Sequence, residues 1–274
     1  MLSGMPIAAG TPLASIPGMI SENVAAYNAI GTRTAAYNLP YDRFIENRAN
    51  GLINCCSLSA WLSMPEAALE IVRLLDAFGM NVRHSRLVDA VRLQNVLSQI
   101  SPSSLDWIAT LSLPLPQSPA TLINPASQIS LANEIRDIYT LLALPGSVTR
   151  SGGYVAASKS FHCLFPNLGP IIDGLHSGPS YNHIDRITYT PPLKLNEWRD
   201  WLGQPINGVA NPSPKGGGRK AWGWARFLAA LGINQHIYEL WQRENYDKGM
   251  SDFLALDATP GTTGVPRIID KVLW

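Results

Sequence analysis

Apolar side chains recur every three to four residues through most of this 274-residue chain, and that period constrains its fold more than any other feature. Residues 65–78 are the clearest example, since Ala68, Ile71 and Leu75 fall on one side of a helix that Pro65 opens. Alternation of polar and apolar residues, the mark of a strand, occurs only as a weak run at residues 187–190. The sequence therefore predicts an all-α fold.

Proline and glycine divide these helical segments into two groups. Four prolines within residues 112–125 rule out a continuous helix there, and a second loop rich in proline and glycine covers residues 204–217. We place a boundary after the first loop, giving an N-terminal helical lobe with an apolar tail (1–125) and a second lobe (126–274). The other predicted helices span residues 21–30 (capped by Ser21), 42–49, 84–99, 127–142, 195–202, 218–231, 233–243 and 265–274.

Composition limits the compartment and the partners. No run approaches the roughly 18 apolar residues of a membrane span, and residues 1–17 contain no Lys or Arg, so neither a membrane anchor nor a secretory signal is expected. Three cysteines without a CxxC pair favour free thiols in a reducing cytoplasm. The net charge is only +1, so a nucleic-acid partner requires a local positive patch. We expect a cytoplasmic monomer.

The most informative segment is LPGSVTRSGGYVAASKSFHCLFPNLGPIID, residues 144–173. A helix ends at Leu-Pro-Gly, a loop reaches Gly152 and Gly153, and a new helix begins at about Tyr154 and stops by Pro166. An apolar run then leads to a single acid, Asp173. Glycines in such a loop let backbone N–H groups approach a phosphate, and the following helix N-terminus adds partial positive charge. Contact with a DNA strand is predicted at both glycines.

This pattern resembles the helix–hairpin–helix superfamily of DNA glycosylases, in which Leu-Pro-Gly-x-Gly leads into a helix and, about twenty residues later, to an aspartate. The spacing from Gly153 to Asp173 fits. Two departures stand out. Residues 147–151 lengthen the hairpin, and Val155 occupies the position of the nucleophilic lysine of bifunctional members, with Lys159 about one turn later. Whether Lys159 takes over that position stays open.

The resemblance implies two helical lobes flanking a cleft and a base-excising activity without a cofactor. The carboxylate of Asp173 would stabilise the positive charge that develops on the sugar and would orient or deprotonate an attacking water. Because a valine forms no Schiff base, the implied enzyme is monofunctional: it flips a modified base and leaves an abasic site. Defence against phage with modified DNA is a further expectation. The alternative is that Asp173 only caps a helix.

Further candidate contacts with DNA come from basic and aromatic residues. No acid lies between residues 200 and 239, a window that holds Lys215, Arg219, Lys220 and Trp222. The three basic residues are predicted to contact phosphates, or else are merely solvated. Lys159 is predicted to contact a phosphate as well, or to pair with an acid, or to act as a displaced nucleophile.

A flipped base needs an apolar or aromatic surface. The predicted base pocket comprises Tyr154, Val155, His176 and Trp222, although Trp222 is also suited to a core. His176, His183 and Asp185 lack the spacing of a compact ligand set, so no metal is predicted.

Two rival functions remain at this stage. A non-catalytic helix–hairpin–helix protein would bind DNA through Gly152 and Gly153 without using Asp173 chemically. An all-α protein unrelated to DNA would make the central match a coincidence. The target base, the strandedness of the substrate and the oligomeric state stay open.

Overall fold

A computed structural model describes residues 11–31, 34–81, 86–172, 187–188, 219–259 and 264–273. Throughout these ranges the chain is almost entirely helical, which confirms the all-α prediction. One exception is a pair of two-residue strands, β1 (Thr11–Pro12) and β2 (Ile187–Thr188), which lie parallel and include part of the weak run at residues 187–190.

Within the described ranges, two 3₁₀ turns, one π-helical turn and eleven α-helices follow one another along the chain. Two single 3₁₀ turns, Leu13–Ser15 and Pro17–Met19, lead into the first α-helix, and a π-helical turn, Thr34–Asn38, leads into the second. In the described ranges the α-helices are α1 (Ile20–Ala29), α2 (Leu39–Cys55), α3 (Leu58–Leu62), α4 (Pro65–Ala77), α5 (Ala90–Leu97), α6 (Pro102–Ala109), α7 (Leu131–Ala143), α8 (Tyr154–Leu164), α9 (Arg219–Glu244), α10 (Met250–Leu254) and α11 (Val265–Leu273).

Several predicted boundaries are confirmed and others are corrected. Helix α4 begins at Pro65 and buries Ala68, Ile71 and Leu75, as its period predicts. Helix α1 starts one residue before Ser21, so that serine is not its cap. The predicted helices 218–231 and 233–243 form one continuous helix, α9, because the glycine between them does not interrupt its backbone. The predicted helix 195–202 lies outside the described residues.

Helix α5 shows the largest displacement of a predicted start. A helix was expected from residue 84, but α5 begins only at Ala90 because Asp89 caps it: the Asp89 carboxylate accepts a hydrogen bond from the Arg92 backbone N–H at 2.8 Å. The residues just before the cap are extended and pair with another segment of the chain. That segment is the hairpin between α7 and α8.

A single hydrophobic core joins the two ends of the described chain. Helix α1 packs against the C-terminal helix α11, α7 packs against α8, and α9 contacts α7, α8 and α11. Division into lobes at residue 125 therefore stays a prediction, since a shared core neither requires nor forbids a cleft. No helix in the described ranges combines the length and apolar composition needed to cross a membrane.

Helix α8 lies at the centre of this arrangement. Every residue from Ala156 to Leu164 is buried, polar ones included, because α4, α7 and α9 surround the helix. A helix enclosed on all sides has a fixed position and direction. Its first turn and the segment that follows it are consequently held by the core.

Candidate nucleic-acid interface

The hairpin between α7 and α8 is a tight, internally bonded loop. Gly146, Gly152 and Gly153 have positive φ values of 79°, 70° and 132°, a region that favours glycine. A Cβ atom at Gly152 would lie 2.6 Å from both the carbonyl oxygen of Ala143 and the nitrogen of Pro145. The end of α7 and the start of α8 therefore approach each other as closely as they do only because residue 152 is glycine.

Both predicted phosphate-binding glycines use their amides inside the loop. The N–H of Gly152 donates to the carbonyl of Thr149 at 3.1 Å, and the N–H of Gly153 donates to the carbonyl of Ala143 at 3.0 Å. The part they play in this conformation is closure of the turn. Their predicted contact with DNA stays a prediction.

The residues that lengthen the hairpin form a small interface of their own. Thr149 pairs with Leu87 in an antiparallel bridge, the Val88 N–H donates to the carbonyl of Val148 at 3.0 Å, and the Arg150 N–H donates to the carbonyl of Arg86 at 2.8 Å. These bonds occupy backbone groups that would otherwise be exposed or buried without partners. The insertion therefore ties the hairpin to the segment that leads into α5.

The first turn of α8 begins at an open position. Gly153 is the N-cap residue and provides no side-chain cap, and no atom lies within 4 Å of where its Cβ would be. The first N–H groups of a helix lack partners within the helix and carry partial positive charge. Tyr154 and Val155, two predicted base-pocket residues, lie half-buried in this turn. Their contact with a base stays a prediction.

Lys159 lies one turn further along, inside the protein. Only 7% of its surface is exposed, its ammonium donates to the carbonyl of Phe78 at 3.3 Å, and it lies 5.5 Å from the Phe78 ring centre. Its predicted phosphate contact also stays a prediction.

The segment after α8 turns back and is bonded to it at two levels. The hydroxyl of Ser158 donates to the carbonyl of Pro170 at 2.9 Å and accepts from the N–H of Ile172 at 2.8 Å. One turn below, Nδ1 of His162 donates to the carbonyl of Gly169 at 2.6 Å. Ile172 is thereby anchored beside the N-terminal half of α8. Asp173, the next residue, lies outside the described residues.

A buried polar group stands behind this return segment. Because Nδ1 of His162 donates to a carbonyl, its Nε2 is the acceptor for the Tyr41 hydroxyl at 2.8 Å. Complete burial, together with the charges of Arg267 and Arg48, lowers the pKa of His162 to about 3, although its bond to Gly169 opposes the shift. The imidazole is therefore neutral at physiological pH and acts as a fixed bridge.

An arginine-lined groove lies beside the hairpin, with a volume of about 580 Å³. It runs between α4, the start of α5 and the hairpin loop, and Arg73, Arg92 and Arg150 line it. No local pattern in the sequence indicates this group, since its members are up to 77 positions apart. They come together through the packing of α4 on α5 and the pairing of residues 86–88 with the hairpin insertion.

The remaining predicted residues are described incompletely or not at all. The backbone of Arg219, Lys220 and Trp222 lies at the start of α9. Helix α9 packs on α7 and α8 through Phe227, whose ring centre is 4.7 Å from that of Tyr139. Lys215 and His176 lie outside the described residues. Among the side chains that the structure describes, no three of His, Cys, Asp and Glu are grouped as metal ligands would be.

Comparison with known proteins finds no relative for this chain. No protein-family model matches it, and neither the curated proteins nor the solved structures contain a significant match.

Proposed function

We propose that this protein is a monofunctional DNA N-glycosylase that flips a modified base and hydrolyses its N-glycosidic bond with Asp173. One observation carries the proposal: Ile172 is bonded to Ser158, close to the first turn of the helix that the glycine hairpin introduces. Covalent linkage limits the distance between the Cα atoms of residues 172 and 173 to about 3.8 Å. Such an enzyme needs an acid close to the turn that holds the phosphate.

The hairpin and α8 supply a means of holding the DNA strand. The open space at Gly153 gives a phosphate access to the first turn of α8, where the helix carries partial positive charge. Such contacts position a strand without reading its sequence. Since a buried helix keeps its direction, the strand is held at a fixed distance from the anchored Ile172.

The proposed chemistry is hydrolysis at C1′ of the flipped nucleotide. As the C1′–N bond breaks, its electron pair leaves with the base and positive charge develops on the sugar, which the Asp173 carboxylate stabilises. The carboxylate accepts a proton from water while the water oxygen bonds to C1′, and this proton then passes to the departing base, which regenerates the carboxylate. Val155 has no group that can attack the sugar, so the products are a free base and an abasic site with an intact strand.

The proposed base pocket would hold the extruded base between Tyr154 and Val155 of α8 and the residues His176 and Trp222. Extrusion costs a few kcal/mol, and stacking on one aromatic ring returns about 1–3 kcal/mol. We extend the proposal to phage DNA with modified bases, and a substrate panel should include such bases.

The test is incubation with DNA strands and duplexes that carry different modified bases, followed by alkali to cleave abasic sites. We expect cleavage with at least one base, and its loss in Asp173→Asn while DNA binding survives. Asp247→Asn is the matched control, because Asp247 is an exposed aspartate in the turn after α9. Equal excision by Asp173→Asn and the wild type would remove the catalytic assignment.

The rival DNA-binding function gives a different pattern in the same experiment. A non-catalytic helix–hairpin–helix protein would bind DNA with strong salt dependence and leave every base in place. A protein unrelated to DNA would show no binding even at low salt. The wild type alone therefore separates the three functions before any variant is made.

A further inference from the structure

We infer that the groove lined by Arg73, Arg92 and Arg150 is the track in which the phosphates of a DNA strand lie as it approaches the hairpin. The inference rests on the proposed function, because it takes DNA to be the partner. It adds a contact surface formed by α4 and α5, which lie far from α8 in the sequence. This surface is additional to the phosphate contacts predicted at Lys215, Arg219 and Lys220.

Arg92 is held against the hairpin with most of its donors unused. Its Nε–H donates to the carbonyl of Gly146 at 2.7 Å, and its guanidinium lies so close to Gly146 that a Cβ there would overlap Nη2. The guanidinium group of Arg92 makes no other hydrogen bond to a described residue, and an arginine has five guanidinium N–H donors. The guanidinium is thus oriented in advance for a phosphate, with a rigid planar set of donors.

Arg150 and Arg73 complete the cationic side of the groove. The backbone of Arg150 is fixed by its bond to Arg86, while its side chain is exposed and makes no ion pair with any described residue. Arg73 pairs with Glu70 at 2.6 Å, but its side chain is 59% exposed. An exposed pair of this kind contributes little to stability, so a phosphate can compete for the arginine.

The acidic residues of the groove lie on α4 and at the start of α5, and none of those described lies on the hairpin. Among the described residues that line the groove are three arginines and two carboxylates, Asp76 and Asp89, and a third carboxylate, that of Glu70, pairs with Arg73. Asp89 is already committed as the N-cap of α5, where its carboxylate accepts the Arg92 backbone N–H. The positive charge of Arg150, and of Arg92 held against Gly146, therefore lies on the side of the groove that the hairpin forms.

The form of the groove favours a polymer strand over a free anion. A volume of about 580 Å³ far exceeds what one phosphate fills, and the cationic groups come from three separate elements. The hairpin loop that forms one wall continues directly into Gly152 and Gly153. A strand that leaves the groove along this wall therefore arrives at the first turn of α8.

The test is fluorescence anisotropy with a labelled 20-base-pair duplex over a range of salt concentrations. We compare the wild type with Arg92→Gln/Arg150→Gln and with Arg243→Gln, an exposed arginine outside the groove. Each lost phosphate contact lowers the slope of log affinity against log salt by about 1. We expect the double variant to lose about 2 in slope and at least about tenfold in affinity at 0.1 M salt, with the control unchanged.

The single variant Arg150→Gln controls for a folding defect, because the exposed Arg150 side chain makes no hydrogen bond or ion pair with a described residue. It should lower the slope by about 1. Unchanged slopes in both groove variants, with a wild type that binds DNA, would overturn the groove and leave the proposed function standing. A wild type that binds no DNA at low salt would overturn both.

Discussion

His162→Gln should remove a defined share of the acid sensitivity of this protein. The glutamine amide can donate to the carbonyl of Gly169 and accept from the Tyr41 hydroxyl, as the imidazole does, but it does not titrate. In the folded protein burial lowers the pKa of His162 to about 3, whereas in the unfolded chain it stays near 6.5. The unfolded chain therefore takes up a proton first as the pH falls, and stability is lost between about pH 6.5 and pH 3.

The size of the effect follows from linkage. Each pH unit well inside that window costs about 1.4 kcal/mol, and between pH 6 and pH 4 the loss from one such histidine is about 2.5 kcal/mol. Urea unfolding at both pH values, followed by circular dichroism, gives the free energy of unfolding for the wild type and the variant. We expect the difference between them to change by about 2.5 kcal/mol. A difference independent of pH would refute the assignment of His162 as a buried neutral bridge.

Three further perturbations test other parts of the structure. Asp257→Ala removes the partner of Lys271, an ion pair of 2.6 Å with both side chains buried, and should cost about 3–5 kcal/mol in urea unfolding because it leaves a buried charge unpaired. Gly152→Ala places a Cβ against backbone atoms at a φ of 70° and should lower the free energy of unfolding by about 2–4 kcal/mol, with a lower melting temperature. Gly18→Ala, with open space around it, should change the melting temperature little. Asp42→Asn should stabilise the protein more at about pH 6 than at about pH 4. Burial raises the pKa of the Asp42 carboxyl to about 6, so ionisation of this group destabilises only the folded state. Equal stabilisation at both pH values would contradict this.

Local patterns in the sequence predict a helix well where the residues of that one segment determine its start, its end and its buried side. The period of α4 and its opening proline, the end of α7 at Leu-Pro-Gly and the start of α8 at Tyr154 all depend on neighbouring residues. The start of α5 does not depend on neighbouring residues alone, because the residues before Asp89 pair with a hairpin about sixty positions away. Pairing at that distance leaves no periodic trace.

The site was less accessible to sequence reasoning for the same reason. Glycines at 152 and 153 marked the turn, but nothing local indicated that their amides would be used within it. Burial of Lys159 depends on Phe78, which lies 81 positions earlier. The arginine groove likewise needs α4, α5 and the hairpin to be brought together before its charge is visible.

Base excision by this protein is tested by identifying its reaction products. DNA that carries a modified base is incubated with the protein, and the released material is identified by mass spectrometry while strand integrity is measured with and without alkali. We expect a free, intact base and a strand that breaks only after alkali, both abolished by Asp173→Asn. Absence of free base from every substrate would contradict base excision, and strand breaks without alkali would contradict the monofunctional mechanism that Val155 implies.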